Sequence, residues 1–223
     1  MIKVIVFDLW RTLIPATIDF VHLISLLKKE GIEKEDFIER YEKATQLKKY
    51  KNFEELRKDF FSAFKEESNS DLEQELYEIY SNRFDKIHFF SDVISVLEKL
   101  KKQKYKIALL SNTESLMAKE IEKKLKFKNY FDYLAYSFEI GFIKPDKRAF
   151  SVIVKKFKVK PKEVLMVGDS LRCDVAGAIT VGFNSCLINR TGTVLDYADV
   201  KPDFEIKSLK EIFEILGVLN AKS

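Results

Sequence analysis

Several apolar runs in this 223-residue chain end in residues able to do chemistry. Residues 2–7 run into Asp8, residues 106–110 into Ser111 and Asn112, and residues 163–167 through Gly168 into Asp169. Lys144 follows a shorter run near 133–137, and Asp174 stands a helical turn or so past Asp169. A carboxylate is a competent nucleophile that forms a covalent intermediate. Attack by one anion on an anionic phosphoryl group requires that their repulsion be cancelled, which a lysine and a hard divalent cation would do. Mg²⁺ takes oxygen ligands, often from only one or two protein carboxylates, and Asp8, Asp169 and Asp174 are the candidates. Ser111 and nearby backbone N–H groups are candidates to bind phosphoryl oxygens.

The elements that must position these residues are legible as patterns. The runs 2–7, 106–110, 163–167 and 184–188 are aliphatic on both faces, as expected of strands buried on both sides by helices. Helix-period segments lie between them. Ser91 is a candidate cap for a helix carrying Val93, Val96, Leu97 and Leu100, and Met117, Ile121 and Leu125 repeat every fourth residue. Asp146 is placed to cap a helix with Phe150, Ile153 and Phe157 inward. Ser208 and Glu211 form a candidate capping box before Ile212, Phe213, Ile215 and Leu216, with Gly217 as the expected stop. Strands alternating with helices predict an α/β fold with a doubly wound, mostly parallel sheet. Parallel strands bring their C-terminal ends to one edge, so Asp8, Ser111, Lys144 and Asp169 should converge on one crevice.

The stretch from about 17 to 85 differs. It has no Pro, a single Gly (Gly31) and helical periodicity nearly throughout. Four helices are expected, over 19–30, 34–50, 53–66 and 70–85. The expected organisation is a Rossmann-like core of 1–15 and 88–223 with an inserted α-helical cap of 16–87, crossing near Pro15 and His88.

Charged residues make up 33% of the chain, 39 basic against 35 acidic. The lysines are interleaved with glutamates, a pattern of solvated helix faces that excludes a nucleic-acid footprint. No stretch reaches the roughly 18 apolar residues of a membrane span. Cys173 and Cys186 form no disulfide framework and no Cys/His cluster suggests zinc. With no secretory signal at the start, a cytoplasmic protein acting on a small molecule is expected. No feature specifies an oligomeric state. His22 and His88 read as structural or solvent-facing, and Arg40 and Arg57 as solvated.

Taken in order, the motifs resemble those of the haloacid dehalogenase-like (HAD) hydrolase superfamily. Asp8-Leu9-Trp10-Arg11-Thr12-Leu13 resembles its first motif, Leu110-Ser111-Asn112-Thr113 the second and Lys144-Pro145-Asp146 the third. The run Gly168-Asp169-Ser170-Leu171-Arg172-Cys173-Asp174 opens the fourth. The resemblance implies that Asp8 is the nucleophile and that Ser111 and Lys144 bind the transferring group. It implies Mg²⁺ held by Asp8, the Trp10 main-chain carbonyl and Asp169, with Asp174 supporting the site. Trp10, Arg11, Thr12 and Asn112 are the expected substrate contacts. Trp10 fills either that role or the seam between cap and core; Arg11 binds an anionic substrate group or a cap carboxylate. Blander roles compete: Asp169 or Ser111 as helix caps, Asp174 as an ordinary helical residue.

One departure matters. Family phosphatases usually carry a second Asp two residues after the nucleophile as general acid/base, and here that residue is Trp10, followed by Arg11 where Gly is usual. An indole N–H is no acid near neutral pH. Family dehalogenases also lack that Asp and carry Tyr there, yet they work without a metal, whereas this chain keeps the acidic fourth motif. Clustered carboxylates at a crevice are costly without a cation. The preferred expectation is therefore a Mg²⁺-dependent phosphatase of a small phosphorylated metabolite, suited to acyl or aryl phosphates. The alternative is a carbon–halogen hydrolase forming an aspartyl ester. A third reading is a catalytically impaired HAD-like binding domain.

Overall fold

The computed structural model describes residues 1–16, 34–64, 70–82, 87–192 and 199–221. Its strands are β1 (Val4–Phe7), β2 (Lys106–Ser111), β3 (Tyr133–Tyr136), β4 (Val164–Gly168), β5 (Asn184–Ile188) and β6 (Phe204–Ile206). They form one sheet in the order β3-β2-β1-β4-β5-β6, and every neighbouring pair is parallel. The chain starts at the middle of the sheet and winds outward both ways. The residue after β1 therefore emerges at the centre of the C-terminal edge, where ligands bind in such sheets.

Alternation along each strand feeds two cores, because successive side chains point to opposite faces. Ile5, Phe7, Ile107, Leu109, Leu165 and Val167 pack on one face. Val4, Val6, Ala108, Leu110, Val164 and Met166 pack on the other. Both faces are dry, which is why the runs are continuously apolar.

The helices preceding β2 are α1 (Lys34–Thr45), α2 (Phe53–Ala63), α3 (Ser70–Asn82) and α4 (Val93–Lys102). Then come α5 (Ser115–Leu125), the short α6 (Ser137–Ile140), α7 (Lys147–Phe157), the short α8 (Gly177–Thr180) and α9 (Ile212–Ala221). A π-helical turn, Leu171–Ala176, leads into α8. Helices α4, α5 and α9 cover the first face of the sheet, and α7 and α8 the second. Helices α1 to α3 build their own core from Phe37, Tyr41, Leu56, Phe60, Phe64 and Leu76, joined by Tyr50. These helices lie between β1 and β2 in the chain, where an inserted helical cap is expected.

Several boundaries differ from the sequence pattern, each for a tertiary reason. The helix expected over 34–50 stops at Thr45. Tyr50 turns the chain back to the core: its N–H donates to Ser115 Oγ at 2.8 Å, and its hydroxyl to the Ala44 carbonyl at 2.7 Å and Asp59 at 2.8 Å. The helix expected over 53–66 ends at Ala63, whose carbonyl accepts from Arg40. The helix expected to reach 85 is described to Asn82; the one over 19–30, with His22, lies outside the described residues. Ser91 does not cap α4. Asp92 holds that position with no capping bond, because Arg190 and Ser208 take its carboxylate. Gly217 does not end α9, which continues to Ala221. Asn220 secures that last turn, accepting from Ile2 N–H at 2.8 Å and donating to the Tyr105 hydroxyl at 2.9 Å. Strand β6 carries too few residues for a pattern; its position is fixed by Asp203, which accepts from Ser185 N–H and Oγ, both at 2.8 Å. The Asp146 cap and the Ser208/Glu211 capping box form as expected.

Candidate active site

The loop after β1 is tightly wound. Asp8 N–H still donates to the Val167 carbonyl of β4 at 2.9 Å. Leu13 and Ile14 N–H then return to the Leu9 carbonyl at 2.9 and 3.1 Å, and Arg11 N–H to the Ile14 carbonyl at 2.7 Å. The Trp10 carbonyl takes no part in that turn. Arg11 adopts φ +55°, a left-handed conformation in which glycine is at ease and a side chain is strained. Arg190 anchors the loop from below, donating to the Thr12 carbonyl at 3.2 and 2.8 Å while pairing with Asp92 at 3.0 Å.

Lys144 is 2% exposed and its Nζ lies 2.6 Å from both Asp8 Oδ1 and Asp174 Oδ1. Asp174 Oδ2 accepts Ser170 N–H at 3.0 Å. Asp169 completes the group: oxygens of Asp8, Asp169 and Asp174 lie within 4.8 Å of one another, and Arg11 Nε is 3.2 Å from Asp169. Asn112 fixes Lys144, accepting from its N–H at 2.8 Å and donating to its carbonyl at 3.0 Å. Ser111 Oγ is 3.1 Å from Thr113 Oγ1, which also accepts from the Trp10 indole N–H at 2.5 Å.

The electrostatics are those of an overcrowded anionic site. Burial, partly offset by Lys144, raises the Asp8 carboxyl to about 6. Burial and the charges of Asp8 and Asp174 raise Asp169 to about 8, with Arg11 pulling the other way. Burial disfavours the Lys144 ammonium, yet the carboxylates of Asp174 and Asp8 overcome this and hold it above its ordinary value. Three carboxylates face two cations.

The family model of haloacid dehalogenase-like hydrolases matches residues 2–182. The chain belongs to that family. Its relatives divide between two chemistries. An (S)-2-haloacid dehalogenase from Pseudomonas sp. strain YL is 25% identical over 79% of this chain and 76% of its own length. A glyceraldehyde 3-phosphate phosphatase from Methanopyrus kandleri is 31% identical over 63% of this chain and 61% of its own length. The crystal structure of a HAD phosphatase from Thermococcus onnurineus superposes with a TM-score of 0.66 at 27% identity, covering 97% of this chain and 98% of that one.

In this HAD-like hydrolase, Asp8, Lys144, Asp169 and Asp174 come together as the sequence placed them. The competing helix-cap roles fall to neighbours: Ser170 caps the π-helical turn and Glu114 caps α5. Arg11 meets Asp169 of the core, not a cap carboxylate. Thr12 is fully buried, and the Asn112 amide is committed at both ends, which makes it a positioning residue. Arg57 pairs with Glu54 and Glu73, and His88 is exposed. Sequence reasoning missed Arg190 and Asp92, and it missed Glu42 of α1, which reaches the crevice edge.

Gly168 has a steric role that its place in the fourth motif hinted at. A Cβ there would lie 2.2 Å from Asp174 Cγ and Oδ2. Gly168→Ala is therefore expected to push Asp174 off Lys144, lowering Tm and cutting turnover at least about tenfold. The loss should exceed that of Gly217→Ala, where a Cβ meets nothing within 4 Å; equal effects would contradict the close-packing argument.

Proposed function

We propose that this HAD-like hydrolase is a Mg²⁺-dependent phosphatase of a small phosphorylated metabolite, working through an aspartyl-phosphate on Asp8. The observation that carries the reading is Asp169. Lys144 brings one positive charge to two carboxylates, Asp8 and Asp174, at 2.6 Å each, and Asp169 has beside it the largely exposed Arg11 at 3.2 Å, so three carboxylates within 4.8 Å of one another keep an excess of negative charge that a further cation would offset. An all-oxygen donor set of carboxylates suits Mg²⁺. Asp8, Asp169 and the Trp10 carbonyl are the residues that would hold it, with Asp174 in support; the ion would supply charge neutralisation for the phosphoryl oxygens.

The chain's own residues supply the rest. An Asp8 oxygen attacks phosphorus as the ester P–O bond breaks, and the departing oxygen keeps the bond electrons. Lys144 offsets the negative charge beside the nucleophile, and Ser111, at the end of the strand paired with β1, would donate to a phosphoryl oxygen. Water then attacks the phosphorus of the aspartyl-phosphate, releasing phosphate and restoring Asp8. Trp10 supplies no proton to the leaving group, and its indole N–H is taken by Thr113. Aryl and acyl phosphates, whose leaving groups need none, fit best, since general acid catalysis contributes roughly 10²- to 10⁴-fold where it is required.

Trp10 is also the observation that favours a second reading, hydrolysis of a carbon–halogen bond through an aspartyl ester, because halide departs without a proton. We take residues 16–87 as the cap and 1–15 with 88–223 as the core. Two free cysteines fit a reducing cytoplasm.

The test is phosphate release from p-nitrophenyl phosphate and a panel of monoesters, with Mg²⁺ and with chelator. Release that requires Mg²⁺ and falls at least about 10³-fold in Asp8→Asn is expected. Trp10→Asp should raise rates on alkyl phosphates selectively. Chloride release from 2-chloro acids in chelator, without phosphate release, would replace this reading with the second; silence in every assay, with Asp8→Asn unaltered in ligand binding and stability, would leave a binding domain.

A further inference from the structure

Glu42 lies on α1, on the stripe of the helix beside the cap core residues Phe37, Tyr41 and Thr45. Its carboxylate leaves the cap and meets the core. Oε1 accepts from Asn112 Nδ2 at 3.2 Å, and Asn112 is the residue that clamps the Lys144 backbone and directly follows Ser111. Oε2 is buried and accepts no hydrogen bond among the described residues; Arg172 of the π-helical turn stands 3.6 Å from it. Burial raises the Glu42 carboxyl above its ordinary value, with the Asn112 bond and Arg172 pulling it down. One turn on, Gln46 is buried with an Oε1 that likewise lacks a donor among the described residues. A buried acceptor without a donor costs free energy. Glu42 thus brings to the crevice edge an acceptor oxygen that has no hydrogen-bond donor among the described residues.

We propose that Glu42 is a specificity-determining residue: its Oε2 accepts a hydrogen bond from a hydroxyl or ammonium group on the leaving portion of the phosphate ester, and it rejects leaving groups that end in a carboxylate. The inference rests on the phosphatase reading. It names a substrate class, aryl phosphates whose leaving portion carries a hydroxyl or an ammonium group. A carboxylate in the same place would face Glu42 in a dry seam, with Arg172 already shared, and like charges there are strongly disfavoured. A site built to bond a substrate hydroxyl or amine discriminates against analogues that lack it.

Three aryl monoesters of similar size separate the possibilities: 3-(aminomethyl)phenyl phosphate, 3-(hydroxymethyl)phenyl phosphate and 3-carboxyphenyl phosphate, assayed by phosphate release with Mg²⁺. Wild type should favour the first two over the third by at least about tenfold in kcat/KM. Glu42→Gln should collapse that preference to within about threefold, chiefly through KM, and Glu42→Asp should restore part of it. A preference for 3-carboxyphenyl phosphate in wild type overturns the proposal. So does a Glu42→Gln variant whose three rates change by one common factor, the result of a purely structural link between cap and core. Wild type inactive on all three and on p-nitrophenyl phosphate overturns the phosphatase reading itself, and this inference falls with it. Activity on p-nitrophenyl phosphate with no discrimination among the three overturns the inference alone.

Discussion

Lys144→Met is expected to lower turnover by about 10³-fold or more and to destabilise the fold by roughly 3–5 kcal/mol at pH 8. Lys144 is 2% exposed and holds Asp8 and Asp174 at 2.6 Å each. Methionine fills similar volume, so the loss is electrostatic. It leaves two buried carboxylates facing each other beside Asp169, and breaking a buried pair by removing one partner is far costlier than never having built it. The pH dependence follows. Asp8 already has its carboxyl raised to about 6 with the lysine present, and without it the carboxyl rises further. A group whose folded value is raised holds its proton more tightly in the folded state, so its burial is best tolerated at low pH and costs stability as pH rises. Lys144→Met should therefore lose more stability at pH 8 than at pH 5, as read by chemical denaturation at both. An equal loss at the two values, or a variant that keeps its activity, would contradict the assigned role of Lys144.

Mg²⁺ should raise Tm at pH 8 by about 5–10 °C at a hundredfold excess over its Kd, and Asp169→Asn should remove most of that rise. Burial, with the charges of Asp8 and Asp174, pushes Asp169 up to about 8 from 3.8. The folded protein then keeps a proton that the unfolded chain releases above about pH 4. Its contribution is favourable below that pH and drains away as pH climbs through 8. Metal-free protein is thus expected to lose Tm between pH 5 and pH 8. The Mg²⁺ increment should grow across the same interval, because the proton must leave for the cation to bind. Asp169→Asn should flatten most of the slope, leaving the part due to Asp8. Thermal scans over that range with and without Mg²⁺ decide it: no increment at pH 8, or one that survives in Asp169→Asn, would remove Asp169 from the metal site.

The residues of the crevice were legible from the chain for a simple reason. A buried parallel strand announces itself as a continuous apolar run, and the first polar residue after it must emerge at the C-terminal edge. Asp8 and Asp169 follow their strands directly and Ser111 closes β2, so finding the strands found them. Lys144 and Asp174 were legible through motif order, and the capping box at Ser208 through local hydrogen-bond chemistry. What is set by distant contacts was not legible. Helix α1 ends at Thr45 because Tyr50 is captured by Ser115, and α9 runs through Gly217 because Asn220 ties it to Ile2 and Tyr105. Asp92 gives up its cap to bind Arg190 from a segment far along the chain. Glu42 is the sharpest case. Glu35, Glu39 and Glu42 share one lysine- and glutamate-rich helix, and nothing in the spacing says which of them faces the core. Residue type and order determined that the carboxylate of Asp8 stands at a sheet edge among acids and a lysine. Only the packing of α1 against the core, which turns one stripe of the helix toward Asn112 and Arg172, decided which of its carboxylates reaches that edge.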